Sequence, residues 1–399
     1  MYTEELIKGK KWLAIADGPK HPVTGKRRQI SRRGRTKKEA EQRVLDAIAA
    51  MKKYKIDESV VKKMTFEQLA AEWFNYYALT SGNKKGTLRI RNTEIQLLNK
   101  FIAKIYIVDI TLRDYQEILN DLVAQGYARN TISGAHTTAG MIFKYAVKMS
   151  YLKENPISGA VVPKKRLTIE DIENNKIEEK YFEKHELEEF LLATKEFGLD
   201  LDFERFYLLA FSGMRSGELC ALKWSDINFE TNEIRITKTI YSEKNNMKDY
   251  ELTPPKTAGS IRTIETEDQI IDMLKDHQRR QKKRKLKSRI DPEEYHNENF
   301  VFARENGYPF VPFNLIPRMH RIIKKTSIKK HATPHIFRHT HISMLTEAGV
   351  DLPTIMERVG HDDMKTTTQI YTHVTKKMKK DASQKVQQTF GNILNIGSL

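Results

Sequence analysis

The spacing of hydrophobic residues changes along the chain, and each change marks a segment that must fold in its own way. Within residues 1–57, strand candidates at Lys11–Ala16 and Arg27–Ser31 flank a turn signal. Thr36 and Glu39 then match a capping box, and apolar residues recur at helical spacing. The pattern predicts a small α+β unit in which a helix follows a hairpin.

Residues 65–160 have only helical spacing. Threonines precede the apolar positions of four predicted helices, at Thr65, Thr87, Thr111 and Thr131. Gly126 is a stop signal for the third helix. Short amphipathic helices in series predict a compact bundle, joined to the first unit by a polar linker near residues 58–64.

Residues 178–399 mix the two periods, after a charged linker candidate. Strands are predicted near 233–240 and 261–265, and helices at 184–195, 201–212, 313–325, 334–348, 352–358 and 366–374. The fold class predicted for the whole chain is multidomain and mainly α with small β-sheets: an α+β unit, an all-helical unit and a mixed α/β unit.

Positive charge is concentrated near the N-terminus. The chain has a net charge of +17, and the segment from Lys8 to Lys38 holds twelve lysines and arginines and one acid, Asp17. Such density favours contact with nucleic-acid phosphates over an anionic membrane surface or general solubility. The residues expected to bind DNA on the hairpin and the turn before the helix are Lys26, Arg27, Arg28, Arg32, Arg33 and Arg35.

Other features narrow the class of protein. No apolar run approaches the roughly 20 residues that span a bilayer, and the polar N-terminus does not resemble a signal peptide. The single cysteine, Cys220, lies in an apolar stretch and excludes a disulfide within the chain. We therefore expect a reducing, intracellular setting, no membrane partner, and a buried rather than catalytic Cys220.

Three short segments carry residue types suited to phosphate chemistry: Ser212–Leu219, Thr333–His341, and Val359–His361 with Thr366–Val374. In the second, Thr333 and Pro334 suit a helix start, which would present His335 and Arg338 on one face near the positive end of the helix. An arginine there can hold two phosphate oxygens at once.

The other two segments supply a second cation and a nucleophile. Glycines around Arg215 allow close backbone approach to a ligand, and Glu218 could orient its guanidinium. Gly360 can end one helix and turn His361 away from it. Tyr371 falls inside the next predicted helix, and neighbouring cations would favour the phenolate that attacks a phosphate.

In this order and spacing, the segments resemble the tyrosine recombinases, with an arginine in a GxRxGEL context, then HxxRH, GH and a tyrosine before Thr-His-Val. The resemblance covers about residues 65–390, and the basic N-terminal unit resembles the arm-binding domains of phage and conjugative-transposon integrases. It implies that Tyr371 is the nucleophile, that Arg215 and Arg338 bind the phosphate oxygens, and that His335 and His361 assist. It also implies a hairpin lysine as general acid, for which Lys256 is the candidate and Lys244 and Lys248 are competitors.

The same resemblance implies the partners. The reaction would pass through a 3′-phosphotyrosine and a Holliday junction, with no metal or nucleotide cofactor. Four copies would assemble on double-stranded DNA at core and arm sites, aided by accessory DNA-bending or excisionase proteins. The setting would be the bacterial cytoplasm, near the nucleoid when active. The C-terminal tail would exchange between copies through Val386, Phe390, Ile393 and Leu394.

Three other interpretations stay open at this point. His335, His339 and His341 could belong to a zinc site, although no HExxH motif is present. The chain could bind DNA without cutting it. It could also use the same chemistry as a type IB topoisomerase or a resolvase, although the N-terminal basic unit favours an integrase.

Overall fold

The computed structural model describes residues 1–7, 11–19, 29–54, 63–164, 180–243, 245–255, 258–287, 294–360 and 364–394. The chain divides into two compact units, Met1–Arg166 and Leu167–Leu399. The described residues are mostly helical with small sheets, as the sequence predicted. No helix in these ranges is both long and apolar enough to cross a lipid bilayer.

The N-terminal segment is a three-stranded antiparallel sheet covered by one helix. Its elements are β1 (Tyr2–Ile7), β2 (Lys11–Asp17), β3 (Gln29–Gly34) and α1 (Lys37–Tyr54), and the strands pair in the order β1-β2-β3. Gly34 is required where β3 meets the helix, because an added Cβ would lie 2.5 Å from the Ala40 nitrogen. Strand β1 was not predicted. The start of the second predicted strand, at Arg27 and Arg28, lies outside the described residues, and the described β3 overlaps that prediction from Gln29 to Ser31.

The cap of α1 differs in one contact from the predicted capping box. The Thr36 hydroxyl accepts the Glu39 backbone N–H at 3.2 Å, as expected. The Glu39 carboxylate accepts instead from the Arg35 backbone N–H, one residue before the N-cap, at 2.7 Å. This bond ties the end of the basic strand segment to the first turn of the helix.

The rest of the first unit is a bundle of four helices in the described residues. They are α2 (Phe66–Thr80), α3 (Lys85–Ile102), α4 (Leu112–Ala124) and α5 (Arg129–Lys148). Thr65 and Thr111 cap α2 and α4 as predicted. The predicted starts at Thr87 and Thr131 are wrong by two residues: their backbone N–H groups already donate to Lys84 and Ala128 at 2.9 Å, so neither is needed as a cap.

The second unit combines helices with two small antiparallel sheets. Its helices are α6 (Lys184–Phe197), α7 (Asp202–Ser212), α8 (Ser216–Ala221), α9 (Asp268–Lys287), α10 (Leu315–Ile323), α11 (Ile336–Glu347), α12 (Leu352–Val359) and α13 (Met364–Leu394). Its strands are β4 (Ile227–Asn228), β5 (Glu233–Ile236), β6 (Thr239–Tyr241), β7 (Glu251–Thr253) and β8 (Arg262–Glu265). The sheets have the orders β4-β5-β8 and β6-β7, so the single strand predicted at 233–240 is in fact two strands in different sheets.

An aromatic cluster fixes the position of α11. The buried Phe337 ring packs on Phe182, Phe190 and Phe206, with ring centroids 5.3–5.7 Å apart. Burying such rings supplies apolar stabilisation and a defined geometry. Because Phe337 precedes Arg338, this packing also fixes the direction of the arginine. Cys220 is buried in the same core, and burial raises its pKa to about 12, which favours the expected inert role.

The predicted start of α11 is wrong. The helix begins at Ile336 and not at Pro334, and Thr333 is not its N-cap. The Thr333 carbonyl accepts the Ile336 backbone N–H at 2.9 Å, so residues 333–336 form a turn before the helix. Helix α13 is also longer than predicted and is continuous from Met364 to Leu394.

Candidate active site

The carbonyl of Gly360 joins the segments that the sequence singled out. It accepts from Arg215 Nη2 at 3.0 Å, from Ser260 Oγ at 3.3 Å and from Arg338 Nη2 at 3.5 Å. Gly360 ends α12 in the left-handed conformation at φ +64°, as predicted, and so turns its carbonyl toward these donors. Arg215 and Arg338, 123 positions apart in the sequence numbering, therefore meet at one point.

Arg215 is held at the start of α8 by Glu218, as expected. The Glu218 carboxylate accepts the Arg215 backbone N–H at 3.0 Å and Arg215 Nη1 at 2.8 Å. The carboxylate side chain is 2% exposed, whereas that of Arg215 is 34% exposed. Gly217 lets this helix approach β6, because an added Cβ would lie 2.3 Å from Thr239 Oγ1. The guanidinium is thus oriented and still reaches solvent.

Arg338 is fully buried. Its Nη1 donates to the Gly213 carbonyl at 2.8 Å, at the left-handed end of α7. Burial, followed by the charges of Arg215 and Arg262, lowers the pKa of Arg338 to about 8. Guanidinium groups held this close repel one another, so an anion between them would be strongly favoured.

A third arginine, Arg262, was not identified from the sequence. Its Nη2 donates to Glu218 Oε2 at 3.0 Å, and its side chain is 4% exposed. Burial alone would raise the pKa of Glu218, but the charge and hydrogen bond of Arg262, together with Arg215, lower it. A signal was available: Arg262 alternates with Thr263 so that it shares the buried face of β8 with Ile264.

His335 lies in the turn before α11, next to this cluster. Loss of water around its ring, then the charges of Arg338 and Arg215, lower its pKa to about 4. Part of the residue stays exposed. At neutral pH the ring is therefore uncharged and can accept a proton. It contacts His339 edge-on, with centroids 4.6 Å apart.

Tyr371 lies on α13, which packs against α11. Its ring is half-buried against a cluster that includes Tyr181, Ile355 and Val374. In the described ranges, no hydrogen bond joins the Tyr371 hydroxyl to Arg215 or His335. The structure therefore places the tyrosine on a helix that packs against the one that carries Arg338.

The remaining predicted site residues divide into two groups. One group lies outside the described residues: Lys256, His361, Lys26, Arg27, Arg28 and the competitor Lys244. The competitor Lys248 is exposed in the loop between β6 and β7. Arg33 and Arg35 are exposed at the end of β3, and Arg32 is half-buried.

The contacts of His341 argue against the zinc interpretation. Its Nδ1 lies 3.1 Å from the Ala210 carbonyl, and its Nε2 lies 3.1 Å from Arg358 Nε. Because Arg358 can only donate, the ring is neutral with its proton on Nδ1, and neither nitrogen is available to a metal. In the part of the chain that is described, no group of three His, Cys, Asp or Glu side chains is placed to hold a metal ion.

Comparison with known proteins identifies the family. Residues 180–378 match the Phage integrase family, and residues 6–51 match an Arm DNA-binding domain. The integrase of Staphylococcus phage L54a is 33% identical over 342 residues, which cover 83% of this chain and 94% of that protein. The chain belongs to the phage integrase family. It is a tyrosine recombinase, an enzyme of site-specific DNA recombination.

Solved structures share the fold of this integrase. The Tn1549 transposon integrase in complex with transposon right end DNA has a TM-score of 0.62 at 21% identity, covering 82% of this chain and 99% of that one. A lambda integrase tetramer bound to a Holliday junction has a TM-score of 0.56 at 15% identity, covering 91% of this chain and 92% of that one.

Buried neutral histidines should make the second unit acid-sensitive. Burial lowers the pKa of His277 to about 4 and that of His341 to about 3. Both values lie below the unfolded value near 6.5, so the stability they allow is complete above pH 6.5 and is lost as pH falls toward 4. We expect each histidine to cost about 2 kcal/mol between pH 7.5 and 5.

Urea unfolding of the integrase at these two pH values measures this loss. In His277→Gln the pH-dependent part of the loss should shrink, because glutamine does not titrate in this range. Its amide can still donate to the Val301 carbonyl that His277 contacts. An equal loss in the variant and the wild type would contradict the assignment to His277.

Proposed function

We propose that Arg215 and Arg338 bind the two non-bridging oxygens of the scissile phosphate and that Tyr371 attacks its phosphorus. The observation that supports this most directly is the set of three guanidinium groups, those of Arg215, Arg262 and Arg338, gathered around Glu218 and the Gly360 carbonyl. The excess of positive charge suits a phosphate whose negative charge grows as it becomes five-coordinate.

The proposed reaction is a transesterification in two balanced steps. The Tyr371 oxygen forms a bond to phosphorus while the bond to the 5′ oxygen breaks, which leaves a 3′-phosphotyrosine and a free 5′ hydroxyl. Neutral His335 accepts the tyrosine proton, and Lys256 donates a proton to the departing 5′ oxygen. His361 supports the phosphate. Attack by a 5′ hydroxyl from another strand reverses the step, so no metal or nucleotide is required.

Three domains divide the work in this proposal: an arm-binding domain at 1–57, a helical core-binding domain at 65–160 and a mixed α/β catalytic domain at 178–399. The second and third clamp the crossover site. The first binds separate arm sites through Arg32, Arg33 and Arg35, together with Lys26, Arg27 and Arg28. One chain that binds two DNA segments is bivalent, so the second contact gains from a high effective concentration.

Assembly is proposed to follow the arrangement of lambda integrase, which has been solved as a tetramer on a Holliday junction. Four copies of this chain would bind double-stranded core DNA and exchange strands in pairs. The residues Val386, Phe390, Ile393 and Leu394 would anchor the end of α13 on a neighbouring copy; their side chains lie outside the described part of the structure. Accessory DNA-bending or excisionase proteins would set the direction of recombination in the bacterial cytoplasm.

A covalent-trapping experiment tests the proposed nucleophile. A nicked core-site duplex lets the 5′ fragment diffuse away and so accumulates the phosphotyrosine. We expect a denaturation-resistant protein–DNA adduct with the wild type in the absence of metal, and none with Tyr371→Phe, because only the hydroxyl oxygen is removed. Salt-sensitive binding of both proteins without any adduct would favour a DNA-binding regulator and contradict the proposal.

Phosphate contacts by the arm residues predict a change in salt dependence. Replacing Arg33 and Arg35 with alanine removes two exposed charges, so the negative slope of log affinity against log salt for arm-site DNA should become shallower by about 2. The matched control is Lys282→Ala with Lys283→Ala, two exposed charges on α9. Equal slopes for the two double variants would contradict arm binding by this strand end.

A further inference from the structure

Arg262 has contacts in three directions. Besides Glu218, its Nε donates to the Arg358 carbonyl at 2.8 Å and its Nη1 donates to the Ser260 carbonyl at 3.0 Å. A planar guanidinium can satisfy three fixed acceptors in this way, whereas a lysine ammonium at the end of a flexible chain cannot. The space is tight as well, because a Cβ added at Gly360 would lie 3.1 Å from Arg262 Cδ.

These contacts close a ring around the phosphate-binding arginine. Arg262 holds Glu218, Glu218 holds Arg215, and Arg215 donates to the Gly360 carbonyl. Two residues before Gly360, the Arg358 carbonyl accepts from Arg262 Nε, and this bond closes the ring. The direction of Arg215 and the position of the backbone from Arg358 to Gly360 are therefore determined together.

The two carboxylate oxygens of Glu218 accept hydrogen bonds from different cationic side chains. Oε1 accepts from Arg215 Nη1, and Oε2 accepts from Arg262 and from the Arg215 backbone. Without Arg262, a carboxylate that is 2% exposed would have Arg215 as its remaining cationic contact. Arg215 would then be drawn toward Glu218 and away from an incoming phosphate.

We propose that Arg262 is a positioning residue for strand cleavage: without touching DNA, it directs Arg215 through Glu218 and holds the end of α12 through the Arg358 carbonyl. This inference rests on the proposed roles of Arg215 and Tyr371. It concerns the rate of the tyrosine attack and not the affinity for DNA, because the Arg262 side chain is buried.

Single-turnover cleavage of the nicked duplex measures the effect. We expect Arg262→Met and Arg262→Lys to cleave about 100-fold more slowly than the wild type, as a small misplacement of a catalytic group can. The dissociation constant for the same duplex should change less than threefold. Arg262→Lys keeps the positive charge, so slow cleavage by this variant would show that the geometry of the guanidinium is required and not its charge alone. If Arg262→Met does not fold, Arg262→Lys is the variant that tests the proposal.

A double-mutant cycle tests whether Arg262 acts through Glu218. The double variant with Arg262→Met and Glu218→Gln should cleave no more slowly than Arg262→Met alone, because it no longer has an unbalanced carboxylate. Effects that multiply would contradict the coupling, as would wild-type cleavage by Arg262→Met or a loss of DNA affinity as large as the loss of rate.

Arg205→Met is the matched control for loss of a buried arginine. Arg205 has a side chain that is 4% exposed and pairs with Asp202 at 3.3 Å, toward the opposite end of α7 from Gly213. It should melt at a lower temperature yet cleave at the wild-type rate while folded. If Arg262→Met cleaves at the wild-type rate and the adduct still depends on Tyr371, the inference about Arg262 is wrong but the proposed function stands. If an adduct forms without the Tyr371 hydroxyl, the proposed function is wrong.

Discussion

Burying several guanidinium groups beside one carboxylate is costly, so the cluster of Arg215, Arg262 and Arg338 depends on fixed hydrogen-bonding partners. An unpaired buried charge costs several kcal/mol, whereas one with good hydrogen-bonding partners is tolerated. Here the partners are backbone carbonyls at chain reversals, those of Gly213 and Gly360 among them, together with Glu218. The aromatic packing of Phe337 supplies apolar stabilisation beside the polar cluster. In the proposed function, a cluster organised in this way before DNA arrives would need little rearrangement during the reaction.

Local signals explain what could be predicted. A glycine that ends a helix, such as Gly360, and an acid three residues after Arg215 act within one or two turns of the chain, so the sequence alone indicated their roles. The periods of the apolar residues likewise predicted the helical segment and the mixed one. The three motif segments supplied the family resemblance, and the comparison with known proteins confirmed it.

What sequence reasoning missed depends on contacts between distant residues. Arg262 and Glu218 are 44 positions apart, and nothing in the β8 segment names the carboxylate that it meets. Strand β1 gains its place by pairing with β2 and not from its own apolar pattern. The helix start at Ile336 was missed because Thr333 and Pro334 suit two structures equally well. They fit an N-cap and a first helical residue, and they also fit the turn that they form.

We propose that this cluster is a phosphate site already organised in the absence of DNA. An experimental structure of Tyr371→Phe bound to an uncut core-site duplex tests it most directly. We expect the scissile phosphate to have one non-bridging oxygen within hydrogen-bonding distance of Arg215 and the other near Arg338, while Glu218 keeps its contacts to Arg215 and Arg262. A phosphate bound elsewhere, or a cluster that must break its Glu218 contacts to receive it, would show that the site is not organised before DNA binds.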